Sequence, residues 1–373
     1  MKEFLIGFLS FNLQSFIMIM VGLFLIWLAI KKEYEPLLLL PIGFATILVN
    51  LPLSVSFEYE GIPGFLKILF DAGITTELFP ILIFVAVGAM CDFTPMFKQP
   101  VMMFFGAAAQ FGIFATIFVA TLLGFDFKVA SAIGIIGAAD GPTAIYVATR
   151  FAKDYLGPIS VAAYSYMSLV PLIQPIVIKA ITTKNERKIR MAKIEKNIPS
   201  SIRIGFPVIV TIITGFIAPM SVPLIGSLML GNLLRESGVV ERLSKTAQNE
   251  LGSIATLLLG ISIGSTMQAE KFLTLATLKI LGLGLVAFIF DTAGGVFFAK
   301  ILNIFLKHKI NPMLGAAGIS AFPMSARVIQ KIAIDEDPGN FIIMQAVSAN
   351  VSGQLGSVIA GGLVLALVPI LIG

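Results

Sequence analysis

One cysteine, Cys91, and one histidine, His308, are the only thiol and imidazole in 373 residues. A single thiol excludes an intramolecular disulfide and any cysteine-based metal site. Cys91 reads as a small apolar filler, and His308, between two lysines, as a solvated loop residue. Charge is scarce too. Asp, Glu, Lys and Arg make up 13% of the chain, and the net charge of +5 is gathered in a few short loops. Basic residues placed this way suit membrane orientation and not nucleic-acid binding. The N-terminus, Met1-Lys2-Glu3, lacks a small-residue cleavage signature, so the first apolar run reads as a retained helix.

Apolar sequence is what the chain has in quantity: 57% of residues are hydrophobic and mean hydropathy is +0.96. A helical span of a bilayer takes ~20 apolar residues, and many such runs are present. The expectation is an all-α polytopic membrane protein. Candidate segments cover about Phe11–Ile30, Pro36–Leu53, Leu78–Met90, Val101–Leu123, Val129–Thr149 and Gly157–Ile181. A basic loop, Thr182–Arg203, follows. Further segments cover about Ile204–Ala218, Pro223–Leu234, Ile254–Met267, Leu273–Leu302, Asn311–Ile332 and Phe341–Ile372. Gly64–Asp71 is amphipathic and suits the interface.

Within the fifth segment lies Gly137-Ala-Ala-Asp140-Gly-Pro142-Thr143. Gly-Pro does not continue a helix smoothly, so the backbone is expected to break at Asp140. Irregular backbone at membrane depth is tolerated where protein buries it or where it lines a wet cavity. A carboxylate there is a functional-site hypothesis, the alternative being a tight turn with a solvated Asp. The second half offers a counterpart. Gly137 to Pro142 and Gly318 to Pro323 share a five-residue offset, each in the fifth stretch of its half. Pro41-Ile42-Gly43 with Asn50 likewise resembles Pro223-Leu224-Ile225-Gly226 with Asn232. Paired interrupted segments of this kind mark transporter binding sites; chance similarity of Gly/Ala-rich runs is the alternative.

These features predict two inverted repeats, residues 1–183 and 204–373, joined by a cytoplasmic basic linker, 184–203. If each broken stretch is a re-entrant hairpin, about ten helices cross. With the N-terminus outside, Lys31-Lys32, the linker, Arg235 to Lys245 and Lys300 to Lys309 fall inside, and Glu58 and Glu60 fall outside. Arg150 and Lys153 also fall outside, against the trend. The hairpin tips, near Asp140 and Ser320, would meet near the midplane.

Polar residues inside the apolar stretches are Asp140, Thr143, Tyr164, Tyr166, Ser168 and Gln174, then Asn311, Ser320, Ser325, Arg327, Gln345, Ser348, Asn350, Ser352 and Gln354. Oxygen donors dominate, which suits hard cations and not zinc or copper. One carboxylate with neutral oxygens and backbone carbonyls suits a monovalent cation such as Na+; a proton carrier could use the same Asp, and spacing alone does not separate the two. The Arg327 guanidinium calls for a carboxylate, Asp140 or an anionic substrate, or else it snorkels to the interface. Asp291 reads equally as a site residue or a helix-packing hydrogen bond. Gly260 and Gly264 read as close helix packing.

At Gly137 to Thr143 the chain resembles the beta subunit of the sodium-pumping, biotin-dependent carboxylate decarboxylases, which act on oxaloacetate, methylmalonyl-CoA or glutaconyl-CoA. Gly88 to Phe93, Tyr166 to Pro175, Asn311 to Arg327 and Asn350 to Gly353 carry the same resemblance. It departs at Ile176, where a second proline is expected, and at Ser352-Gly353-Gln354. The resemblance implies decarboxylation of carboxybiotin, proton uptake and outward Na+ transport. It implies Asp140 as the Na+-linked carboxylate, with Asn311, Gly315, Ser320 and Asn350 completing cation binding and Tyr166 handling a proton or cation. Arg327, with Ser320, would face the carboxyl group. Biotin would be carried by a partner and not by this chain. Implied partners are a biotin carrier protein, a carboxyltransferase alpha subunit and a small gamma or delta membrane subunit, in a homo-oligomeric assembly in a prokaryotic cytoplasmic membrane. The competing readings are a Na+- or H+-coupled carboxylate symporter and a non-catalytic membrane anchor.

Overall fold

The computed structural model describes residues 11–192 and 197–372. Lys193, Glu195 and Lys196 of the linker and the Met1-Lys2-Glu3 terminus lie outside them. Helices account for nearly all described structure; one short antiparallel pair joins Glu58–Tyr59 to Ile62–Pro63. In the first half, α1 spans Leu13–Lys31, started by the Asn12 side chain accepting from the Ser15 amide at 2.7 Å, and α2 spans Pro36–Val49. Phe65–Thr75 then bends by 60° into α3, Leu78–Met90. A broken span holds α4 (Met103–Ala109) and α5 (Phe111–Leu122). Next come α6 (Phe127–Gly134), α7 (Gly141–Phe151), α8 (Leu156–Ser168) and α9 (Val170–Ile181). A bend of 69° separates the last two.

The elements after the linker run in a similar, not identical, order. The second half comprises α10 (Ser200–Ile217), α11 (Val222–Glu236), α12 (Gly252–Gly264), α13 (Leu275–Phe305), the short α14 (Met313–Ala316), α15 (Met324–Glu336) and α16 (Ile343–Ile372). Even irregularities repeat: Phe65–Phe70 and Glu241–Thr246 both run into π-helical turns, Asp71–Thr75 and Ala247–Leu251. Among the described residues, five helices are long and apolar enough to cross a membrane, or up to seven if each bent pair is one span. α10 is the barest of these, with Pro207 its one buried residue and Phe216 86% exposed, as suits a helix facing lipid.

The two halves interlock. α3 packs on α11 so closely that a Cβ on Gly88 would lie 1.9 Å from the Leu228 carbonyl oxygen, and one on Gly231 would lie 2.0 Å from that of Val85. α2 packs on α12 with Gly264 against the Ile42 carbonyl, the close packing expected of Gly264. In lipid, helices associate through van der Waals contact and interhelical hydrogen bonds, so small residues at crossings matter. The asparagines of the repeated Pro-Gly-Asn pattern pair across the halves as well. Asn50 Nδ2 donates to the Met267 carbonyl at 2.7 Å, and Asn232 Nδ2 donates to that of Cys91 at 2.9 Å.

Both broken stretches return to the end they left. Phe125 and Tyr155, which flank α6 and α7, meet edge to face at 6.2 Å. Asn311 and Asn340, which flank α14 and α15, each donate to the carbonyls of Arg187 and Ile189 in the linker. That end of the molecule gathers the ion pairs Arg187–Glu336, Arg190–Asp337, Lys300–Glu186 and Arg203–Glu236. The Arg187 pair holds Glu336 below the usual carboxylate range, and the Arg190 pair does so for Asp337. At the opposite end Arg150 forks onto Glu77, with Nη2–Oε2 at 3.0 Å, which neutralises the one arginine that stood against the charge pattern.

Candidate functional site

The first break follows from its sequence. Ile135–Ala138 tightens into a 3-10 turn, and Ala139 takes a left-handed φ of +52°. Asp140 is then extended and caps α7, which Gly141-Pro142 opens; proline suits the first turn of a helix, where no partner is needed for its missing amide hydrogen. Asp140 Oδ1 accepts from the Thr143 amide at 3.3 Å, and Oδ2 from the Thr143 hydroxyl at 2.8 Å. Ser357 Oγ on α16 donates to Oδ2 at 2.5 Å. Ser320 Oγ and Gln354 Nε2 approach the same oxygen at 3.4 Å, and Ser320 and Ser357 bond each other at 2.9 Å. The carboxyl is 3% exposed. Its partners are neutral donors at a helix N-terminus, so the charge is solvated by dipoles and not cancelled by a cation.

The second break is held by its neighbours. Pro323 caps α15 without a side-chain hydrogen bond. The Ala316 carbonyl receives Gln174 Nε2 at 2.8 Å and Ser325 Oγ at 3.2 Å, and the Ile319 carbonyl receives Asn350 Nδ2 at 2.7 Å. The two breaks meet through main chain: the Ser320 amide donates to the Ala138 carbonyl at 2.9 Å.

The fold thus brings Asp140, Ser320, Thr143 and Gln354 together, and sets Asn350 beside the second break with its Oδ1 buried and unpartnered among the described residues. Other expected site residues lie elsewhere. Tyr166 donates from its hydroxyl to the Leu281 carbonyl on α13. The Asn311 amide is occupied by the linker, and Gly315 abuts Gly295, each where the other's Cβ would clash. Arg327 is exposed on α15; its amide donates to the Pro323 carbonyl at 3.3 Å, and its guanidinium has no hydrogen bond or ion pair among the described residues. Asp291 caps the broken span, with Oδ1 accepting from the Ile113 amide at 3.1 Å, while Oδ2 has no donor among the described residues. The reading of polar residues missed Ser357. Its signal was the helical spacing of Asn350, Gln354 and Ser357 on one face of an apolar helix.

A cavity of about 230 Å³ opens beside the carboxylate. One wall comes from the α1–α2 turn, α2, α3 and α12, including Glu35, Cys91 and Thr256. The other comes from the two breaks and α8, including Asp140, Tyr164 and Ser320.

Apolar helices wrapped around an oxygen-rich carboxylate site, where two broken helical stretches meet, define an integral membrane protein of the cation-handling kind. Over residues 14–368 the chain matches the family described as the Na+-transporting oxaloacetate decarboxylase beta subunit, and it belongs to that family. It is 51% identical over 362 residues to the glutaconyl-CoA decarboxylase subunit beta of Acidaminococcus fermentans, covering 97% of this chain and 95% of that one. It is 50% identical over 361 residues to the methylmalonyl-CoA decarboxylase subunit beta of Veillonella parvula, with the same coverage. The oxaloacetate decarboxylase beta chain of Haemophilus ducreyi is 44% identical over 418 residues, covering 96% of each. The resemblance carried by the Asp-Gly-Pro-Thr motif is borne out along nearly the whole chain.

Proposed function

We propose that this chain decarboxylates carboxybiotin presented by a carrier protein and couples the reaction to outward Na+ transport with proton uptake. The observation that carries this reading is Asp140, a buried carboxyl ringed by neutral donors where the two breaks touch. In the reaction the N–CO2 bond of carboxybiotin breaks, its electron pair stays on nitrogen, a proton joins that nitrogen, and CO2 leaves. Asp140 holds either Na+ or the proton, since either one neutralises it in the membrane, and this exchange ties the two flows together. Ser320, Ser357 and Thr143 supply further oxygens; Asn350 Oδ1 supplies another as the second hairpin shifts. Arg327, unpaired and exposed, receives the carboxyl group of carboxybiotin. Tyr166, Asn311 and Gly315 act through the helices and linker that they fasten.

The architecture belonging to this reading is two inverted repeats, 1–183 and 204–373, with ten crossings and hairpins entering from opposite faces. The recurring element order and the returning hairpins support it. The basic end faces the cytoplasm of a prokaryotic cell, where the carrier, the carboxyltransferase alpha subunit and a small gamma or delta subunit assemble with a homo-oligomer of this chain. The hairpins move against the α1–α3 and α10–α12 scaffold.

The test is decarboxylation of carrier-bound carboxybiotin in liposomes, with 22Na+ uptake, for the native protein and Asp140→Asn. CO2 release that needs Na+, moves 22Na+ and is lost with the substitution supports the reading. Na+-driven uptake of a labelled dicarboxylate without CO2 release would replace it with the symporter.

A further inference from the structure

Two carboxylates line the cavity beside the breaks, Asp140 in its wall and Glu35 from the α1–α2 turn. Glu35 is half-buried. Among the described residues its carboxylate forms no hydrogen bond or ion pair, although Lys31 and Lys32 lie in the same turn. Burial alone raises its carboxyl above the usual range, with no basic group offsetting it. Tyr164 lines the same cavity as the two acids. The ring of Tyr164 also fills the space that a side chain on Gly141 would need. The remaining wall is mostly apolar, with Leu38, Ile83, Val87 and Met90. A low-dielectric channel with one sign of charge at its mouth focuses that field and concentrates counter-ions.

We infer that Glu35 forms an entry subsite for a monovalent cation, from which Na+ passes along Tyr164 to Asp140. This rests on the reading of Asp140 as the Na+-linked carboxylate. Glu35 belongs to the scaffold wall and Asp140 to the hairpin wall, so the entry carboxylate stays in place while the hairpins shift. The cavity is lined by Glu35 of the α1–α2 turn and by Met90 and Cys91 at the end of α3, the end assigned to the cytoplasm, which is the side from which outward transport must load. An exposed glutamate of the lipid interface would have no reason to share a cavity with the buried acid. A glutamate serving structure alone would show a partner.

The test uses the complete complex in liposomes, with carboxybiotin decarboxylation followed against Na+ concentration at constant ionic strength in choline chloride. In Glu35→Gln the half-saturating Na+ rises about three- to tenfold, and raising Na+ recovers the rate. In a Cys91→Ser background, Glu35→Cys is then modified on the folded protein. A sulfonate-bearing thiol reagent restores the native half-saturation, and an ammonium-bearing reagent raises it further. An unchanged half-saturation in Glu35→Gln, or equal effects of the two reagents, overturns the inference. Asp140→Asn distinguishes its failure from that of its premise: if that variant keeps native Na+ dependence, the assignment of Asp140 falls whatever Glu35 does.

Discussion

The two broken stretches are built to one plan and stabilised in opposite ways. In the first, the break closes on itself: Asp140 caps the very helix that follows it, through both the amide and the hydroxyl of Thr143. In the second, the freed carbonyls of Ala316 and Ile319 are met from outside, by Gln174 on α9 and Asn350 on α16, with Ser325 of α15 adding a longer bond to the first. A self-capped break can carry a charged group whose partners change, because its helix start does not depend on them. A break capped by neighbours is fixed in position by them and reports their movement. Under the proposed function, the first hairpin is the chemical one and the second the positional one.

Substitutions can break or sharpen this contrast. The largest effect is expected at Asp140. Removing one partner of a buried ionic contact loses about 3–5 kcal/mol, so Asp140→Asn lowers Na+-dependent decarboxylation by two decades or more, with thermal stability in detergent little changed. Next is Gln174→Leu, which leaves the Ala316 carbonyl without its amide donor. It lowers unfolding free energy by about 2 kcal/mol, measured by thermal or denaturant unfolding. A Gln174→Leu protein that is fully stable yet insensitive to Na+ would erase the distinction between the hairpins. Ser357→Ala removes one hydrogen bond to a charged oxygen, worth about 1.5 kcal/mol, so half-saturating Na+ shifts about tenfold. A loss of stability alone would make Ser357 a packing residue.

The smallest effect concerns the linker at the base of the second hairpin. Arg187 depresses the Glu336 carboxyl and Arg190 that of Asp337. A carboxylate with a lowered folded-state pKa adds stability at neutral pH and loses it as pH falls through that value. Protease cleavage of the 184–203 linker is therefore flat across neutral pH and rises only below about pH 4. Cleavage rising near pH 6 would show that these pairs do not clamp the hairpin.

Much of this was legible from residue types. Gly-Pro after Asp140 announced the first break, and the matched spacing of Gly318 to Pro323 located the second. The Pro-Gly-Asn pattern suggested only that the halves are related; that each asparagine donates to a carbonyl of the other half appears in the structure alone. What stayed hidden depended on contacts distant in sequence. The break at Gln110 has no proline beside it and is stabilised by Asp291, which accepts from the Ile113 amide, 178 residues away from it in sequence. Tyr164 and Tyr166 are two apart on one helix, which puts them on different faces. Nothing local says that Tyr164 faces Asp140 while Tyr166 faces Leu281. Asn311 looked like a ligand because it is polar in apolar sequence, yet its amide fastens the linker. Glu35 sat among charged residues of a short turn, and only the cavity set it apart.

The interlocking of the halves bears on how the protein is made. α2 finds a partner in α12 and α3 finds one in α11, so the first-half faces at these two crossings wait for helices not yet synthesised. A nascent chain that has inserted only residues 1–183 holds bare crossing surfaces and an uncovered Asp140 in the bilayer. Assembly must run late and nearly all at once, after α12 emerges, and until then the first half depends on lipid or an insertase for cover.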